Sequence, residues 1–134
     1  MRKGTKFTEL KKIFDILHGP KGCLWDKKQT HKSLIPYLKE ESRELIHAIR
    51  KNNLHHMREE LGDLLIQVMF HSKIAQRQAE FGIEDVIGEL IRKLKRRHPH
   101  VFGTLKVKNT RQAIASWNKI KRQEKDAKKK NKSR

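Results

Sequence analysis

Apolar residues recur along this chain at helical spacing. Phe7, Leu10, Ile13, Phe14 and Leu17 mark a first helix from about Thr5 to Leu17, which Gly19, Pro20 and Gly22 end. Ser33 suits the N-cap of a second helix, with Pro36 tolerated in its first turn and an end near Lys51. Asn52 and Asn53 form a turn, and a third helix runs from about Leu54 to Gln78. After Gly82, the acidic pair Glu84 and Asp85 suits the first turn of a fourth helix, whose apolar row is Val86, Leu90 and Leu94. Pro99 forbids its continuation and Gly103 suits a turn. A fifth helix from about Thr110 points Ile114, Trp117 and Ile120 inward. No run of β-branched residues alternates as a strand would, so the predicted class is all-α. Residues 1–124 are read as one helical domain, and residues 125–134, charged throughout, as a basic disordered tail.

Polar residues inside these stripes change the picture. With successive residues about 100° apart around a helix axis, Leu34, Leu38, Leu45, Ala48 and Ile49 share one stripe. Glu41 falls within it and Glu44 at its edge. The third helix has one row of Leu54, Met57, Leu61, Leu64, Leu65, Val68, Ser72 and Ala75, and another of Ile66, Phe70 and Ile74. Glu60, Asp63 and Gln67 lie between the rows, and His71 shares their flank. A helix apolar on two sides is buried between layers, which predicts a bundle completed by dimerisation. Glu41 with Glu44, and Glu60 with Asp63, are each three apart, so each pair projects from one helix face. Buried carboxylates call for a cation, and oxygen-only ligands favour Mg²⁺ or Mn²⁺ over zinc or copper. The alternative is solvated helix surface, or partners for the abundant Lys and Arg.

Charge narrows the partners. The 33 Lys and Arg exceed the 15 Asp and Glu, for a formal net charge of +18. Such a balance attracts nucleotides, nucleic acids or acidic surfaces. The lone Cys23 excludes an internal disulfide and a multi-cysteine zinc site. The start, Met-Arg-Lys-Gly-Thr-Lys, lacks a following signal-peptide core, and no segment is apolar enough to span a membrane. The expectation is a cytoplasmic protein without membrane partners. Neither standard glycine-rich phosphate loop is present, nor is His-Glu-x-x-His. Glu44-x-x-His47 matches half of a di-iron signature that requires the motif twice. His55 and His56, at a helix start, are expected at the surface.

Two further features carry chemistry. Trp25, in the stretch Gly22 to His31, either covers a core or stacks on a ligand. Lys93 and Arg97, four apart beside Val86 and Leu90, either clamp phosphates or lay their stems along a solvated edge.

Taken in order, five blocks become specific: Gly22-Cys23-x-Trp25-Asp26-x-x-Gln29-Thr30-His31-x-Ser33-Leu34; Glu40-Glu41-x-x-Glu44; Glu59-Glu60-Leu61-Gly62-Asp63-Leu64-Leu65-x-Gln67-Val68; Arg96-Arg97-His98-Pro99-His100-Val101-Phe102-Gly103; and Trp117-x-x-x-Lys121. Together they resemble the MazG family of nucleoside triphosphate pyrophosphohydrolases. The likeness covers the chain from Phe7 to about Lys125, with Leu24 standing where the family usually has proline.

The resemblance implies an all-α homodimer or higher assembly that cleaves a nucleoside triphosphate between its α and β phosphates. It implies Mg²⁺ held by Glu41, Glu44, Glu60 and Asp63, and phosphate contacts from Lys93, Arg97 and Lys121. Trp117 would lie by the nucleotide, and the Trp25 segment would shape the pocket. Either Glu41 or Glu44 would activate the attacking water. The competing expectation is a basic nucleic-acid-binding helical module without catalysis, and the tail gives even an enzyme weak nucleic-acid affinity. A third is a non-catalytic helical scaffold.

Overall fold

A computed structural model describes residues 4–132. It leaves outside them Met1 to Lys3 of the N-terminal stretch, and Ser133 and Arg134 of the tail. The described residues form helices α1 (Lys6–Leu17), α2 (Leu24–Lys28), α3 (Ile35–Arg50), α4 (Leu54–Arg77), α5 (Ile83–Arg97), α6 (Pro99–Phe102) and α7 (Thr110–Lys132), and no strand. They divide into two compact units, one ending at Ile83 and the other beginning at Glu84.

In the first unit, Thr5 caps α1 and Asn53 caps α4, each side chain accepting a backbone N–H of the first turn. Asn52 turns the chain between α3 and α4 with φ 51°, a conformation asparagine adopts readily. Gly22 has no freedom to carry a side chain, since a Cβ would lie 2.0 Å from the Leu17 carbonyl oxygen. Ser33 does not cap α3: its hydroxyl closes the preceding turn onto Gln29 and Thr30, and the cap position falls to Leu34. Trp25 lies on the short helix α2 rather than in an irregular loop. The Lys27 ammonium donates to the Gly19 carbonyl at 3.1 Å, and Arg77 donates to the Lys27 carbonyl at 2.9 Å, which ties α2 down. An ion pair between Lys73 and Asp15 links α4 to α1.

The core of this unit is Phe14, Leu34, Met69, Phe70 and Ile74, with Phe7, Leu10 and Ile83 against it. It occupies the α1 end of α4. Toward its N-terminus α4 does otherwise: Glu60 and Gln67 are buried, whereas Leu61 and Leu65 are 51% and 40% exposed. Of the two expected apolar rows, Phe70, Ser72, Ile74 and Ala75 are buried and Leu54, Leu61, Leu65, Ile66 and Val68 are exposed in this single chain, while Glu60 and Gln67 from between them are buried.

In the second unit no described residue is fully buried. Its helices are joined by charge: Arg96 and Arg97 of α5 each meet Glu124 of α7 at 2.8 Å. The Asn109 side chain accepts the Gln112 N–H, and the Gln112 side chain accepts the Lys108 N–H, a reciprocal start to α7. That helix continues through Lys132, so the stretch from Lys125 is helical as far as it is described, not irregular. No Gly or Pro follows Thr110, and the Ala, Lys, Gln and Glu there are good helix formers.

Candidate active site

Helices α3 and α4 pack side by side and bring the predicted acids together. Ligand atoms of Glu41, Glu60 and Asp63 lie within 4.8 Å of one another, and so do those of Glu44, His56 and Glu60. Glu60 belongs to both groups, so the four expected carboxylates form one continuous cluster with Glu60 at its centre. Glu60 is 6% exposed, Glu41 and Asp63 are half-buried, and Glu44 is exposed.

Charge is poorly matched at this centre. The His56 ring nitrogen meets one Glu60 oxygen at 3.0 Å, while the other oxygen, Oε2, is buried without a hydrogen-bond donor. Burial pushes the Glu41 carboxyl above its ordinary value, as do the neighbouring charges of Asp63, Glu60 and Glu40. A protonated Glu41 can also donate to Glu60, which further favours holding the proton. Buried polar atoms are nearly always paired, so a carboxylate oxygen left bare among other carboxylates fits a cation ligand. The all-oxygen set around Glu41, Glu60 and Asp63 suits a hard divalent ion. His56 was expected at the surface, but it reaches into the cluster. The signal for it was its spacing four residues before Glu60.

The second unit gathers other expected residues. The Arg97 guanidinium lies 5.1 Å from the Trp117 ring centre. The His98 ring meets the same Trp117, expected by the nucleotide, edge-on at 5.0 Å. Arg97 presents its Nε and Nη2 edge to Glu124, which holds the Glu124 carboxyl down to about 2 against the opposing effect of burial. Glu124 is a partner the sequence did not single out. Lys93 lines a groove of about 450 Å³ with Glu89, Arg96 and Glu124. Lys121 lines a different one, of about 410 Å³, with Asn118, Arg122 and Lys125.

Trp25, in the first unit, is 48% exposed. Its ring meets Tyr37 at 5.8 Å and Phe70 at 6.2 Å, both edge-on. It thus covers the core with one edge and offers the rest to solvent.

Comparison with known proteins gives the family. Residues 29–102 match the model of the MazG nucleotide pyrophosphohydrolase domain, a span holding all four acids. The chain is 52% identical over 126 residues to the nucleoside triphosphate pyrophosphohydrolase/pyrophosphatase MazG of Thermotoga maritima, covering 94% of this chain and 48% of that protein. It is 41% identical over 113 residues to the nucleoside triphosphate pyrophosphohydrolase of Escherichia coli K12, covering 84% of this chain and 43% of that protein. The chain therefore spans about half the length of these curated relatives, or less. The fold superposes on the crystal structure of a mazG-related protein from Thermotoga maritima with a TM-score of 0.69 at 28% identity, covering 87% of this chain and 98% of that one. With the helices, the convergent acids and a family match over more than half its residues, this chain belongs to the MazG family.

Proposed function

We propose that the chain hydrolyses nucleoside triphosphates to nucleoside monophosphate and pyrophosphate, with Mg²⁺ at the carboxylate cluster and Mn²⁺ as a substitute. The observation that carries this reading is Glu60, buried, with one oxygen bare, grouped both with Glu41 and Asp63 and with Glu44 and His56. Such an arrangement is unfavourable as a purely structural element, because uncompensated buried charge is costly. It is favourable once a cation sits there. When bound, the metal neutralises charge building on the attacked and leaving phosphate oxygens.

The chain's own residues supply the rest. Glu60 and Asp63, on adjacent turns of α4, fix the cluster from one side, and Glu41 and Glu44 of α3 from the other. A carboxylate not saturated by metal takes the proton of the attacking water, and Glu41 or Glu44 fills that role. Lys93, Arg97 and Lys121 meet phosphate oxygens, and Trp117 the nucleotide, as the resemblance implies. Arg97 meets Glu124 through Nε and Nη2, which directs Nη1 elsewhere. Trp25 shapes the pocket through its exposed face. The name shared by the two curated relatives supports the same reaction.

The apolar residues left exposed on α3 and α4, among them Ile46, Ile49, Leu61 and Leu65, support a homodimer or higher homo-oligomer. Sedimentation at micromolar concentration tests that, and a monomer contradicts it. Among the described residues no helix is long and apolar enough to cross a membrane. A cytoplasmic location goes with this reading.

The reaction is tested by incubating the protein with mixed nucleoside triphosphates and Mg²⁺. Equal amounts of monophosphate and pyrophosphate are expected. Release of orthophosphate alone, or no release, contradicts it. The basic groove of Lys121, Arg122 and Lys125 supports a second reading, nucleic-acid binding through α7. DNA titration at low and high salt, with no pyrophosphate released, would favour that reading over catalysis.

A further inference from the structure

Beyond the carboxylates, α4 carries a second unmatched polar set. Gln67 is 7% exposed, and its Oε1 has no partner. His71 is half-buried, and its Nε2 is also buried without one. Glu60, Gln67 and His71 lie within about 40° of one another around the helix. Glu60, Gln67 and His71, each with a buried polar atom lacking a partner, therefore line up along α4. Gln67 stands about 10 Å and His71 about 16 Å from Glu60 along the axis.

An apolar residue would be more stable at either position unless something pairs with these groups. We propose that Gln67 and His71 bind the nucleobase of the substrate. This deepens the pyrophosphohydrolase reading and rests on it. A carboxamide carries a donor and an acceptor side by side, which matches the paired donor and acceptor on a nucleobase edge. His71 is fixed in place by His31: their Nδ1 atoms are 2.8 Å apart and their rings are stacked at 5.1 Å. One Nδ1 donates to the other, so the Nε2 of His71 is left with either a free proton or a free lone pair.

Aromatic rings stand at the same level of α4. Trp25 meets Phe70, the neighbour of His71, and also meets the exposed Tyr37. A base held at Gln67 would leave its phosphates to extend along α4 toward Glu60, about 10 Å away along the axis.

The test is calorimetric binding of the four common nucleoside monophosphates and of pyrophosphate, all with Mg²⁺, to the full chain. Wild type, Gln67→Met and His71→Phe are compared. Gln67→Met keeps the volume and removes the amide. It is expected to weaken the preferred monophosphate roughly tenfold and to narrow the spread among bases, with pyrophosphate affinity within about twofold of wild type. His71→Phe is expected to act in the same direction. Without nucleotide, Gln67→Met is expected to melt at a higher temperature than wild type, because the unmatched buried amide is gone.

Equal loss for pyrophosphate and all monophosphates, or no loss for any, would overturn the proposal. So would a lower melting temperature accompanied by dissociation of an oligomer, since Gln67 would then be matched by a second copy of the chain. The underlying reaction fails separately. If wild type releases no pyrophosphate yet binds monophosphates in a base-selective way that Gln67→Met abolishes, the base site stands and the hydrolysis does not.

Discussion

The two units hold their charged residues in opposite ways. In the first, carboxylates of α3 and α4 are pressed together and left without enough positive charge, and Glu60 is the extreme case. In the second, Glu124 is fully matched by Arg96 and Arg97, and no described residue is fully buried. One cluster is strained unless a cation joins it. The other is complete as it stands and joins α5 to α7. An unmet electrostatic demand points to a ligand, whereas a satisfied ion pair does not by itself call for one. The acids are therefore the stronger pointer to chemistry, even though the chain as a whole is basic.

The largest expected effect separates the units by activity. Glu60→Gln or Asp63→Asn is expected to lower pyrophosphate release about a thousandfold or more, since charge stabilisation by a held metal is worth several kcal/mol. The metal-free Glu60→Gln protein is expected to melt no lower than wild type, because a buried charge has been removed. A variant with near-normal turnover would break the contrast. Arg97→Ala is expected to reduce turnover by about ten- to a hundredfold, with an unchanged affinity for Mg²⁺ measured calorimetrically.

A smaller effect is thermal. Saturating Mg²⁺ is expected to raise the melting temperature of wild type by roughly 5–15 °C and to leave Glu60→Gln nearly unmoved. Arg97→Ala should respond to Mg²⁺ like wild type.

The smallest effect is the pH dependence, where the units have opposite signs. Folding raises the Glu41 value above its ordinary 4.5, so in metal-free protein its contribution to stability is lost as pH rises through the folded value. Folding lowers Glu124 to about 2, so its contribution is present above 4.5 and lost as pH falls from there toward 2. Glu41→Gln should remove the first slope, and Glu124→Gln the second, in denaturant titrations across acidic pH.

Much of this was readable in the sequence, for a physical reason. Helical periodicity fixes which residues share a face, so Glu41 could be paired with Glu44, and Glu60 with Asp63, before any coordinates, and the five long helices located; only the resemblance joined the two pairs. Periodicity does not say which face meets a neighbour within one chain. Leu61 and Leu65, in a row expected to be buried in an assembly, are exposed in the single chain, while Gln67, which lay between the rows, is buried. Pairings distant in sequence left no local signal: His31 with His71, and Arg97 with Glu124. Ser33 looked like a cap, but its hydroxyl was already committed to the turn before it. The basic composition of the last stretch masked its helix-forming residues.

The most direct test of the account is a calorimetric titration of Mg²⁺ into metal-free protein, wild type against Asp63→Asn. The account predicts saturable binding to wild type and its loss in the variant, with the helical content of the two proteins alike. Equal binding by both, or none by wild type, would contradict it.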